Sequence, residues 1–274
     1  MCFAYNMLMC SHSFLYVPGD RPERFDKAVQ SGADGVIVDL DDGVAPEAKL
    51  AARDTVAQWL AAEHPVYVRV NRTNSEWCQA DLAAVTQRPG LLGIVVPDAE
   101  TPAQLSAVAS QLPAGVSIIA LTESALGIWN AYEIAINPAV TRLAFGALDL
   151  MRDTGIQDPE RGLLFARSRI VMASRAARIE APLDGVTTSL DDLDAVRADT
   201  IRARQLGFSG KQCIHPKHVA VINQAFEADA LEIEWARSVL EAVRHGAHGA
   251  IRFDGQMIDR PVIERAKQIL ERSD

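Results

Sequence analysis

Five carboxylates and one guanidinium follow short apolar runs in this chain. Gly35-Val-Ile-Val runs into Asp39, Asp41 and Asp42, and Val66-Tyr-Val runs into Arg69. Ser117 to Leu121 ends just before Glu123, and Arg142 to Phe145 ends just before Asp149. One acid after a strand is usually a helix cap or a loop carboxylate, so the signal lies in their coincidence. Glu123 and Asp149 have no His or Cys beside them. Hard oxygen donors of that kind suit Mg2+, which takes one or two carboxylates and keeps its other positions for water and substrate oxygens. The competing reading is a pair of strand-end acids held by arginines such as Arg142. Arg69 divides the same way, as a structural partner of an acid or as a planar fork for a substrate carboxylate.

These residues share one site only if their strands share one edge. The first strand signal, 13–17, is broken by Pro18-Gly-Asp-Arg-Pro22 and followed by an amphipathic helix over 23–30. The alternation predicts further strands over 35–39, 66–70, 93–96, 117–121, 142–145, 184–186 and 210–214. It predicts helices over 47–61, 102–111, 125–136, 163–178 and 191–206, and another from Pro216. Eight strand and helix alternations with short turns predict an α/β fold, a TIM (β/α)8 barrel, whose sites lie at the carboxyl ends of its strands. A doubly wound sheet is disfavoured, because the first turn lacks the GxGxxG spacing. The expected division is a barrel over 1–229 and a C-terminal helical arm or lid over 230–274. The arm has helices over 233–245 and 262–271 around a glycine-hinged loop.

Composition excludes several classes. Hydrophobic residues make up 49% and charged residues 23% of 274 residues, which is globular rather than disordered. No apolar run approaches the roughly 18 residues of a membrane span. A net charge of −9 with scattered lysines and arginines argues against a nucleic-acid partner. Cys2, Cys10, Cys78 and Cys213 form no CxxC pair, so neither a disulfide framework nor a zinc site is expected, and a reducing cytoplasm is the default. Met1 to His12 has no basic residue ahead of its apolar part, which argues against a signal peptide, and Met7 or Met9 is an alternative start. The pairs His215/His218 and His245/His248 lack a third ligand and are read as structural.

Six segments in order, Ser13-Phe-Leu-Tyr-Val-Pro-Gly-Asp-Arg-Pro-Glu-Arg-Phe25, Val38-Asp-Leu-Asp-Asp-Gly-Val44, Val68-Arg-Val-Asn71, Thr122-Glu-Ser-Ala-Leu-Gly127, Leu143-Ala-Phe-Gly-Ala-Leu-Asp-Leu150 and Gly207-Phe-Ser-Gly-Lys-Gln-Cys-Ile-His-Pro216, resemble the citrate lyase β-subunit family of the HpcH/HpaI aldolase superfamily. The resemblance implies a Mg2+-dependent barrel that breaks or forms a carbon–carbon bond next to an acyl thioester. It places the metal ligands on Glu123 and Asp149 and the substrate-carboxylate arginine on Arg69, with Arg21 and Arg24 near the CoA or substrate. Gly255-Gln-Met-Ile-Asp259 resembles the C-terminal motif of the malyl-CoA and citramalyl-CoA lyases, whose aspartate moves a proton, so Asp259 is the implied acid/base, reaching a neighbouring subunit's metal. The sequence departs from the family at Asp41, usually Glu, at Gly43, usually a residue with a side chain, and at Leu148, often an acid.

The resemblance thus implies a lyase that converts a 3-hydroxyacyl-CoA thioester, such as malyl-, citramalyl- or citryl-CoA, into a 2-oxo acid and an acyl-CoA. The protein is expected to form homo-oligomers, trimers or hexamers. Asp42, near the metal's water shell, and Asp39, a holder of loops at the mouth, are counted with Asp259 and Arg69 among the expected catalytic residues. Alternatives are the β-subunit of a multi-subunit citrate lyase acting on a citryl group held by an acyl carrier protein, a pyruvate-type aldolase, and a catalytically idle binding protein of the same fold.

Overall fold

Eight strands form, and in the computed structural model they close in chain order into one parallel barrel. The structure describes residues 11–245, 251–253 and 256–271. The strands are β1 (Ser13–Pro18), β2 (Gly35–Asp39), β3 (Val66–Arg69), β4 (Leu91–Val96), β5 (Ser117–Thr122), β6 (Val140–Phe145), β7 (Glu180–Asp184) and β8 (Gly210–Cys213). The barrel helices are α1 (Phe25–Val29), α2 (Lys49–Trp59), α3 (Cys78–Val85), α4 (Pro102–Ala109), α5 (Ala125–Trp129), α6 (Ala131–Ala135), α7 (Ala147–Thr154), α8 (Leu164–Ala177), α9 (Leu193–Leu206) and α10 (Pro216–Phe226). This is the expected TIM barrel.

The two-residue period of a strand explains why chemistry gathers at one end. Phe14, Ile37, Tyr67, Val95, Ile119, Leu121, Ala144 and Leu183 form one buried cluster inside the barrel, with Tyr16 against it. Two residues further along their strands from Phe14, Ile37, Tyr67, Leu121 and Ala144 come Tyr16, Asp39, Arg69, Glu123 and Gly146, all of which line a cavity above the cluster. The apolar layer is the floor on which the polar layer stands. Asp39 is also in register with Arg69 on the adjacent strand, which sets up their contact.

Several expected elements differ. The strand expected over 184–186 is Glu180–Asp184. Pro182, which has no N–H to donate, falls where the β6–β7 register shifts, and that proline masks the strand in the sequence pattern. The helix expected over 125–136 is two short helices that meet at Asn130, whose side chain donates to the Glu100 carbonyl. Helix α3 has no side-chain cap at its start and is not signalled by the sequence pattern. Nor is α7, which ends on Gly155 in the left-handed region at φ 74.

Arg142 does not hold Glu123 and Asp149 as the competing reading requires. It lies near the start of β6, at the opposite end of the barrel from the site, stacked on Phe14 and donating to the carbonyls of Ala181 and Ser11 and to Ser209 Oγ. Burial pushes its pKa down to about 10.

The described residues fall into two compact units, one ending at Asn223 and the other beginning at Gln224. In the second, α11 (Ala230–His245) and α12 (Arg260–Glu271) pack around Ala236, Val239, Ile258, Ala266 and Ile269. Part of the expected loop is a pair of antiparallel strands, β9 (Ile251–Phe253) and β10 (Gln256–Ile258). The Gly246 and Gly249 hinge, His248, Gly255, the stretch from Met1 through Cys10 and the alternative starts lie outside the described residues. Among the described residues, no helix is long and apolar enough to cross a membrane.

Candidate active site

Asp39 and Arg69 form the fixed wall of the mouth. Arg69 donates from Nε to Asp39 Oδ1 and from Nη2 to Oδ2, each at 2.6 Å. The same carboxylate accepts the backbone N–H of Asp41 at 2.9 Å and of Gly43 at 2.8 Å. Asp39 thus has both oxygens occupied and holds the guanidinium of Arg69 in place. Arg69 keeps Nη1 uncommitted to Asp39, 4.0 Å from Asp42 Oδ2. Asp42 is half exposed and lies 3.8 Å from Arg72, which in turn bonds Asp98 at 3.0 Å. The loop behind this wall is tied by a buried network that the sequence does not advertise. Lys49 Nζ donates to the carbonyls of Leu40 and Asp41 and to Asn71 Oδ1, and Asn71 and Arg53 both donate to Asp81.

Asp41 is 5% exposed, and its Oδ2 has no hydrogen-bond partner among the described residues. Burial pushes its pKa up to about 6 against the pull of Arg69. Of the first-loop arginines, Arg24 reaches the cavity and Arg21 is not among the residues lining it. Both are largely exposed, and each lies 3.8 Å from an acid adjacent to it in the chain.

Glu123 and Asp149 come together across β5 and β6. Glu123 is 3% exposed, and its Oε1 accepts the N–H of Asp98 at 2.9 Å. Asp98 reaches that position from the left-handed region, φ 44, a conformation that costs an ordinary residue roughly 1–2 kcal/mol. Asp98 is invisible to the sequence reading, since strand-end patterning says nothing of backbone donors. The other oxygen, Oε2, is accommodated by Gly146, where an added Cβ would sit 2.5 Å from it. Asp149 stands in the first turn of α7, paired with Arg152 at 2.8 Å. Burial pushes Glu123 up to about 8, the Asp98 N–H opposes that rise, and Asp149 adds to it. Asp149 is held by Arg152, and Glu123 has no cationic side chain bonded to it among the described residues. Two hard carboxylates, one buried and without a cationic side chain bonded to it, in a notch kept open by a glycine, fit a divalent cation that takes oxygen ligands. Among the described residues no group of three or more His, Cys, Asp and Glu is arranged to hold a metal, so any such ion would rely on water or substrate for its other positions.

Two cavities meet at this pair. One, of about 370 Å³, is lined by Tyr16, Asp39, Asp42, Arg69 and Gln212 on one side and by Ala147, Leu148, Val186 and Ile214 on the other. The second, of about 630 Å³, is polar and includes Arg72, Asp98, Gln104 and Arg152. Tyr16 and Gln212 carry no signal in the sequence pattern. Gln212 Nε2 donates to the carbonyls of Phe145 and Asp184, so its Oε1 faces the Tyr16 hydroxyl, which donates to it at 2.9 Å.

Asp259 belongs to the second unit. It is exposed, and its Oδ1 accepts the Val262 N–H at 3.3 Å at the head of α12. His215 precedes α10, where its Nδ1 accepts the Lys217 N–H. His218 is fully buried with Nε2 on the Leu190 carbonyl, and neither histidine lines the two cavities.

Comparison with known proteins agrees with this fold. Residues 12–216 match the HpcH/HpaI aldolase/citrate lyase family. A citrate lyase subunit beta-like protein of Deinococcus radiodurans is 39% identical over 94% of this chain and 95% of its own. A (3S)-malyl-CoA thioesterase of Cereibacter sphaeroides is 33% identical over 96% and 94%. The crystal structure of CitE from Mycobacterium tuberculosis in complex with magnesium, acetoacetate and coenzyme A superposes with a TM-score of 0.86 at 34% identity, covering 96% of this chain and 98% of that one.

Proposed function

The chain belongs to the HpcH/HpaI aldolase/citrate lyase family, and on that premise we propose that it is a Mg2+-dependent carbon–carbon lyase. Its substrate would be a 3-hydroxyacyl-CoA thioester, cleaved to a 2-oxo acid and an acyl-CoA or formed from them. The observation that carries this reading is that Glu123, buried with no cationic side chain bonded to it among the described residues, and Asp149 line the same cavity as Arg69, whose Nη1 is not bonded to Asp39. The magnesium and coenzyme A of the solved relative supply the chemical class.

Glu123 and Asp149 would hold the ion, which when bound supplies Lewis-acid polarisation of the substrate's hydroxyl and carboxylate. Asp39 fixes the guanidinium plane of Arg69, so Nη1 can meet the carboxylate without reorganising. Asp42, half exposed and only loosely paired, would take the hydroxyl proton. As the carbinol becomes a ketone, the electron pair of the breaking bond passes to the acyl α-carbon. Asp259 would protonate that carbon, and in condensation remove the same proton.

The relative named as a thioesterase favours a second reading, in which water opens the thioester and the carbon chain survives. Malyl-CoA and citramalyl-CoA, each incubated with Mg2+ or a chelator, separate the two. Release of a 2-oxo acid that depends on Mg2+ and disappears in Glu123→Gln is expected. Free thiol appearing with an intact hydroxy acid would mean hydrolysis.

A further inference from the structure

The side chains on the wall of the smaller cavity opposite Arg69 are apolar, and the polar side chains beside them, Gln212 and Tyr16, have no proton left to give. Leu148 is 51% exposed and Ile214 is 42% exposed although both line a cavity, and Val186 is half-buried beside them. Both amide protons of Gln212 go to backbone carbonyls, and the Tyr16 hydroxyl proton goes to Gln212. Two of the three Arg69 nitrogens are committed to Asp39, and Arg24 stands largely exposed beside Glu23. Among the described residues the cavity thus offers an inward-facing charged side chain for one substrate carboxylate and no side-chain donor for a second along the β6–β8 side.

On the proposed reading, the carbon bearing the hydroxyl has four substituents with separate destinations. Its hydroxyl and carboxylate go toward Glu123, Asp149 and Arg69. Its methylene leads to the thioester, which must leave by the open mouth because a nucleotide-bearing group exceeds a cavity of about 370 Å³. One substituent remains, next to Ala147 and Leu148, which precede Asp149 in the chain. We infer that this substituent is alkyl, a methyl in the simplest case, and that Leu148, Val186 and Ile214 select it over a carboxymethyl group. The favoured 2-oxo acid is then pyruvate rather than oxaloacetate. A second carboxylate against this wall would lose its water and gain no charged or other side-chain partner, whereas a methyl group exchanges water for apolar contact.

Calorimetric titration of pyruvate, glyoxylate and fresh oxaloacetate into the full-length protein with Mg2+ tests this. Pyruvate should bind at least tenfold more tightly than oxaloacetate and several-fold more tightly than glyoxylate. Leu148→Lys, at a half-exposed position, should narrow the gap between pyruvate and oxaloacetate at least tenfold. The values of kcat/KM for the matching CoA thioesters should follow the same order. Oxaloacetate binding as tightly as pyruvate, or a ratio unmoved in Leu148→Lys, would overturn the inference and leave the lyase reading standing. If no 2-oxo acid binds and no thioester is cleaved, the lyase reading itself fails, and the inference with it.

Discussion

Glu123 is the residue on which the site's electrostatics turn. Its pKa, pushed up to about 8 by burial, means that without metal it carries a proton at neutral pH. Its folded value lies above an ordinary unfolded value of about 4.3, so its contribution to stability is fully present below that value and is lost as pH rises through 8. Metal binding must displace the same proton. The apparent Mg2+ affinity should therefore fall roughly tenfold per unit as pH drops from 8 to 6, and a calorimetric series across that range would show it. Glu123→Gln should bind Mg2+ weakly with no such slope. A flat profile in the unsubstituted protein would mean that the carboxylate is already ionised.

At the level of strands and loops, the strand ends position the site and single glycines keep it open. Gly43 donates to Asp39 Oδ2, and a Cβ there would lie 2.3 Å from that oxygen. Gly43→Ala should loosen the Asp39–Arg69 clamp and raise KM for the thioester about tenfold, measurable in steady-state kinetics, with a smaller effect on kcat. Gly43 is visible in the sequence only as a departure from its relatives. Its reason is the occupied carboxylate beside it. The barrel itself is legible, because buried parallel strands leave uninterrupted apolar runs that end in breakers, and Asp39, Arg69, Glu123 and Asp149 can be placed at one mouth from that pattern. What cannot be read is made by the backbone or by distant pairing. The left-handed Asp98 donates a main-chain N–H, Tyr16 and Gln212 meet only when the barrel closes β1 onto β8, and Pro182 hides the true extent of β7.

Across the chain as a whole, the proposed acid/base and the proposed metal pair lie in different units. Asp259 heads α12 in the second, and Glu123 follows β5 in the first. If Asp259 serves the site of a neighbouring copy, Asp259→Ala and Glu123→Gln should each be inactive alone and regain activity when co-refolded, because some mixed sites combine an intact Asp259 with an intact Glu123. Mixtures that stay inactive would place Asp259 on the site of its own chain or remove it from the reaction. Carbon–carbon cleavage itself is seen by following the carbinol carbon of carbon-13-labelled citramalyl-CoA by NMR, with Mg2+ and with chelator. This carbon should become the ketone of pyruvate, only when Mg2+ is present, while the acyl-CoA thioester remains intact. A carbinol signal that persists while free CoA accumulates would contradict the lyase reading.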